Sequence, residues 1–200
     1  MKKIILASRS VDRSELLKRA KIPFEIIFSN IDEEYYKRVI SNPYELVKEL
    51  AKAKVLDVKQ RLFQKKEDAL IIAADTIVEL KGNILGKANN KEQAFQILNK
   101  LRNNSHNLIT GFAITDVIGP KLVCGYDQTI VYFSNITERE INQYIESDEW
   151  MGRAGAYSIR DKAALFIDSI EGSFSNVIGL PLNKIFKVLK KEFNLNLLEL

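Results

Sequence analysis

The chain has 200 residues, 46% of them apolar and 28% charged, and a net charge of +4 from 30 basic and 26 acidic side chains. That is enough to bury a core in one domain over residues 1–200, and no run nears the roughly 18 apolar residues of a membrane span, so no membrane partner is expected. So small a basic excess argues against nucleic-acid binding, and a single cysteine, Cys124, excludes an internal disulfide and multi-cysteine metal sites, which fits a reducing cytoplasm.

The opening Met-Lys-Lys followed by Ile4, Ile5, Leu6 and Ala7 imitates a signal peptide. The apolar run is shorter than the ~7–15 residues of such a segment, and Arg9, Asp12 and Arg13 follow at once, so a buried strand over 3–7 is expected instead. A helix over 10–20 puts Leu16, Leu17 and Ala20 on one stripe, and 24–28 reads as a second strand. Asn42-Pro43 with Glu45 is a helix start, and the helix runs through about residue 61. Residues 69–74 form an apolar strand that continues through 77–80 to a turn at Lys81-Gly82-Asn83, from which Ile84-Leu85 pairs back as a hairpin.

The spacing of Ala94, Ile97, Leu98 and Leu101 predicts a helix over 91–101. Two long strands over 108–118 and 122–133, joined at Gly119-Pro120, suggest antiparallel pairing. Cys124 falls among strand residues Leu122, Val123 and Tyr126 and is expected to be inert in the core. Thr137-x-x-Glu140 is a capping box for a helix to about Ser147, and Pro181 opens a last helix with Ile185, Val188 and Leu189 inside. Residues 151–179 are rich in glycine and serine and suggest short strands. The pair Lys65-Lys66 and the lysines of 187–191 read as solvated surface. Crossover helices combined with hairpins predict an α/β fold on a mixed sheet.

Four groups of residues could carry chemistry. Ser8-Arg9-Ser10-Val11-Asp12-Arg13 lies where a strand gives way to a helix. Backbone N–H groups, the two hydroxyls and Arg13 would suit a phosphate there, although Ser10 could simply cap the helix beneath two solvated arginines. Asp75 follows a buried strand, where an acid must bind metal, pair with a cation or handle a proton, unless it merely forms a turn. The acidic run Asp32-Glu33-Glu34 offers hard oxygen ligands for Mg²⁺, or is a solvated loop. Lys54 and Lys87 could supply positive charge to a phosphate ligand, or lie on the surface. His106, the single histidine, is read as a structural hydrogen-bonding residue, since no Gly-x-Ser-x-Gly elbow accompanies it.

These segments stand in an order that resembles the Maf family over essentially the whole chain. The matching residues are Leu6-Ala7-Ser8, Ser10, Arg13 and Glu15-Leu16-Leu17, then Asp32-Glu33, Ala74-Asp75-Thr76-Ile77-Val78 and Gly86-Lys87. His106 with Thr110-Gly111, Ala154-Gly155-Ala156-Tyr157, Gly172-Ser173 and Asn176 through Leu182 complete the set. The resemblance implies a mixed, partly antiparallel twisted sheet flanked by helices in two lobes about a central cleft. It also implies hydrolysis of a nucleoside triphosphate, including non-standard ones, to the monophosphate and pyrophosphate with Mg²⁺ or Mn²⁺.

On the same resemblance the proton-accepting aspartate falls on Asp75. The phosphate and metal contacts fall on Ser8, Arg13, Glu33, Lys54 and Lys87, with Asp75 a second candidate metal ligand and Thr76 a substrate contact. A homodimer is a further implication. Three positions that separate the branch acting on dTTP and UTP from that acting on 7-methyl-GTP fall on Asp12, Thr76 and Arg160. The first branch carries Arg, Thr and Gln there, so only Thr76 agrees with it. The rival of another class is a non-catalytic nucleotide- or DNA-binding regulator of septum formation, which pyrophosphate release would exclude.

Overall fold

The computed structural model describes residues 2–65 and 67–200; Lys66, half of the expected solvated lysine pair, lies outside the described residues. The elements in order are β1 (Lys3–Leu6), α1 (Val11–Arg19), β2 (Glu25–Ile26), α2 (Glu33–Val39), α3 (Pro43–Phe63), β3 (Ala69–Leu80) and β4 (Asn83–Leu85). Then follow α4 (Lys91–Leu101), β5 (Ser105–Asp116), β6 (Leu122–Phe133), α5 (Glu138–Ile145), β7 (Ile167–Glu171), α6 (Phe174–Ile178) and α7 (Leu182–Phe193). The expected mixed sheet is present: its order is β2-β1-β3-β5-β6-β7, with β4 on β3. β1 runs parallel to β2 and β3, whereas the β3–β4 and β6–β7 ladders are antiparallel.

The chain divides into two compact units. The first comprises residues 1–75, 110–127 and 179–200, and the second 76–109 and 128–178, so β3, β5 and β6 each pass from one to the other. In the first unit, Ile5, Ile71 and Ala73 of the parallel strands, with Ala7 just past β1, meet Ala51, Val55 and Val58 of α3. Burying these side chains supplies the main driving force for docking the helix. α3 lies close against β5 at one point, where a Cβ built on Gly111 would stand 2.3 Å from the Val47 carbonyl carbon and oxygen. Only glycine fits there.

The second unit has its own core, in which Leu98 and Leu101 of α4 and Ile141 and Ile145 of α5 pack with Leu108, Val131 and Phe133. α5 begins with the expected capping box: Thr137 and Glu140 satisfy each other's backbone N–H groups. His106 is buried among rings, edge-on to Phe133 and Tyr157, and its Nε2 lies 2.9 Å from the Tyr157 hydroxyl. That is the structural hydrogen bond expected of it.

Burial pushes the His106 imidazole down to about 4, below its ordinary 6.5. The unfolded chain therefore takes up the proton first, and stability is lost as pH falls from about 6.5 toward 4, by up to about 3 kcal/mol. Denaturant titrations at pH 7 and pH 4.5 should show a larger loss in the wild type than in His106→Phe, which cannot take up that proton. Equal losses would remove His106 as the cause.

Several expectations need correction. Residues 69–80 form one unbroken strand, so Asp75 lies inside β3 and not after its end. Residues 32–34 are not a loop: the Asp32 side chain accepts from the N–H groups of Glu34 and Tyr35 and caps α2. Between 151 and 179 there is one strand, β7, among helical turns, since a single 3₁₀ turn at Lys162–Phe166 and the short α6 use local bonds instead of ladders. Cys124 is exposed on β6, not in the core, because the alternation of that strand turns it outward.

Candidate functional site

Parallel pairing of β1 with β3 sets Leu6 beside Ile72, and the Ala7 N–H donates to the Ile72 carbonyl at 2.8 Å. That ladder ends at Leu6 and Ile72, so the Ser8–Arg13 turn follows the end of β1 while Asp75 stands three residues past Ile72 within the continuing β3. Ser10 caps α1, its hydroxyl accepting from the Arg13 N–H at 3.4 Å. Ser8 Oγ accepts from the Ser10 N–H at 3.2 Å. Arg9 remains at the surface, stacked over the Phe28 ring.

Arg13 is not solvated. It belongs to the buried stripe of α1 with Leu16 and Leu17, its Nε donates to the Gly179 carbonyl at 2.7 Å and its Nη1 donates to Ser8 Oγ at 3.0 Å. Gly179 has φ of 108°, a conformation that strains residues with a Cβ. Burial pulls the guanidinium below its ordinary value, and the Asp75 and Glu33 carboxylates oppose that fall. The side chain is therefore a fixed cation facing both acids.

Lys54 is brought in from the other side by α3. The helix buries Leu50, Ala51, Lys54, Val55 and Val58, so this lysine occupies a core position, 6% exposed. Its Nζ lies 2.6 Å from Asp75 Oδ1 and 2.9 Å from Glu33 Oε1. Glu33 reaches it from the first turn of α2. A buried ammonium so placed is held by its two carboxylates, because its desolvation would otherwise be costly. Lys37, which the sequence did not single out, joins the field: partial burial works against its charge, but a hydrogen bond to Glu34 and the charges of Glu34, Glu33 and Asp75 raise its value.

Ser8, Arg13, Glu33, Lys54 and Asp75 thus come together within the first unit. Asp12 is also there, buried in the first turn of α1, where its charge suits the helix start. Thr76, Lys87 and Arg160 belong to the second unit. Lys87 is exposed and paired through its backbone with Ala154. Nearby Arg153 was also missed by sequence reasoning; burial first, and then the charge of Arg160, lower its value.

Among the described residues no group of three or more His, Cys, Asp or Glu side chains is arranged to hold a metal. The donors nonetheless suit a hard cation, since Glu33 and Asp75 converge on one positively charged atom. Mg²⁺ is commonly held by one or two carboxylates together with phosphate oxygens and water. No described helix is long and apolar enough to cross a membrane.

A model of the Maf-like protein family matches residues 3–192. A dTTP/UTP pyrophosphatase of Alkaliphilus oremlandii is 44% identical over 198 residues, which cover 99% of this chain and 100% of that protein. A second of the same description, from Alkaliphilus metalliredigens, is 41% identical with the same coverage. One solved structure, a nucleoside-triphosphatase / dITP/XTP pyrophosphatase from Mycobacterium abscessus, aligns at 12% identity and a TM-score of 0.37 over 67% of this chain and 74% of that one. That likeness is too loose to bear on function.

Proposed function

The chain belongs to the Maf family, and from that premise we propose that it is a nucleoside triphosphate pyrophosphatase, cleaving the bond between the α and β phosphates. The observation that carries this reading is the convergence of two carboxylates on the buried Lys54, beside a fixed arginine and the Ser8 hydroxyl. Ser8, Arg13 and the N–H groups opening α1 grip phosphate oxygens, and Lys54 takes up charge that grows on the departing pyrophosphate. Asp75 orients the attacking water and accepts its proton, leaving the monophosphate and pyrophosphate as products. Glu33 would hold a Mg²⁺ or Mn²⁺ ion, with Asp75 a second ligand as the alternative to its role as base; the ion when bound neutralises phosphate charge and polarises the phosphorus. Pyrophosphate release from a panel of dTTP, UTP, CTP, GTP and methylated nucleotides, with Mg²⁺ or Mn²⁺, tests the reading. No release from any of them would sink it.

Two positions bear on base preference in our reading: Asp12 and Arg160 stand where the resemblance assigns Arg and Gln to the branch acting on dTTP and UTP, whereas Thr76 agrees with that branch. One position has lost a positive charge and the other has gained one. The double substitution Asp12→Arg with Arg160→Gln is expected to raise kcat/KM for dTTP and UTP about tenfold relative to the other nucleotides. Unchanged relative rates across the panel would reject the assignment.

A further inference from the structure

The same ammonium that binds both carboxylates also stands where a cation shared by them would go. Lys54 Nζ is 2.6 Å from an oxygen of Asp75 and 2.9 Å from one of Glu33. Its neighbour Arg13 is tethered at two points, to the Gly179 carbonyl and to Ser8. A lysine is built otherwise: a compact charge on a flexible four-carbon stem, able to swing without moving its helix. Of the two buried cations, then, Arg13 is held by a backbone carbonyl and a hydroxyl, and Lys54 by two carboxylates alone, for which a competing anion can substitute.

We propose that Lys54 is a stand-in cation for the carboxylate pair: it holds Glu33 and Asp75 together before nucleotide binds, keeps a free divalent ion out, and yields its place when a triphosphate draws it away. Metal then enters with the nucleotide and not ahead of it. This rests on the reading that the pair takes a divalent cation. Two physical points support it. A dication beside the lysine would meet a like charge at close range, and solvent screens it poorly on the side of Lys54 and Asp75, whose side chains are 7% and 13% exposed, though Glu33 is open to water. With the lysine gone, two converging acids are left facing each other, an arrangement that disfavours both being charged unless another cation joins them.

The test is a Mn²⁺ titration without nucleotide, followed by electron paramagnetic resonance of the free ion and by calorimetry. Lys54→Gln should bind Mn²⁺ at least tenfold more tightly than the wild type. Adding Glu33→Gln to that variant should abolish the gain, and Lys52→Gln, a surface lysine on the same helix paired with Glu49, should behave as the wild type. If Lys54→Gln proves unfolded without metal, Mn²⁺ must restore its circular dichroism, since binding the folded state stabilises it. A folded Lys54→Gln that binds no tighter, or an unfolded one that Mn²⁺ does not rescue, overturns the proposal. Pyrophosphate release by the wild type is scored separately. Turnover without a gain in Lys54→Gln defeats only the role given to the lysine, whereas a gain without turnover on any nucleotide upholds that role and defeats the proposed activity.

Discussion

Replacing Asp75 with Asn should lower kcat for pyrophosphate release by about a hundredfold or more, the scale usual for removing a general base. Asparagine keeps the shape of the side chain and its place within β3. It cannot accept the proton of the attacking water, and it carries no charge to hold a cation. The Ser8 and Arg13 contacts to phosphate are untouched, so KM should change far less than kcat. Lys54 keeps Glu33 as a partner at 2.9 Å, which limits the damage to stability, and denaturation of the variant should be measured alongside its kinetics. Near-normal turnover in a folded Asp75→Asn would remove Asp75 from the reaction.

Gly111→Ala is expected to be the most destabilising single change of its size, by about 3 kcal/mol or more, or to prevent folding altogether. The new methyl would stand 2.3 Å from the Val47 carbonyl carbon and oxygen and 2.7 Å from the Lys48 nitrogen. Those are backbone atoms of α3, so no side chain can swing aside. The helix itself must retreat from the sheet, and with it Lys54. Gly86→Ala is the matched control: a Cβ there meets nothing within 4 Å, and its stability should stay within about 0.5 kcal/mol of the wild type. Urea midpoints decide between them, and a Gly111→Ala chain as stable as Gly86→Ala would show the packing to be looser than described.

Much of the architecture could be read from local chemistry. The Asn42 cap, the capping box at Thr137 and Glu140, and the stripes of α4 and α7 each depend on neighbours within one or two turns, and those helices stand where expected. Elements that depend on distant partners were less legible. β2 shrinks to two residues because its ladder is set by β1, and β3 continues through Asp75 and Thr76 because pairing overrides their polarity. In the site, the Ser8–Arg13 turn was legible as an anion site, but not the burial of Arg13. A signal was available: Arg13 precedes Leu16 and Leu17 by three and four residues, and Lys54 follows Leu50 and Ala51 by four and three, so both cations lie on apolar stripes. The bond from Arg13 to Gly179 had no such signal, since nothing within 166 positions of sequence announces it.

That bond also bears on synthesis. While the chain leaves the ribosome, its first strand waits for residues 69–72 to pair with, and Arg13 waits for a carbonyl that emerges only with residue 179. A half-made polypeptide therefore cannot yet aim its arginine, and a product stopped before residue 179 should release no pyrophosphate from any nucleotide. Premature termination would leave the cell with a fragment that consumes no triphosphates.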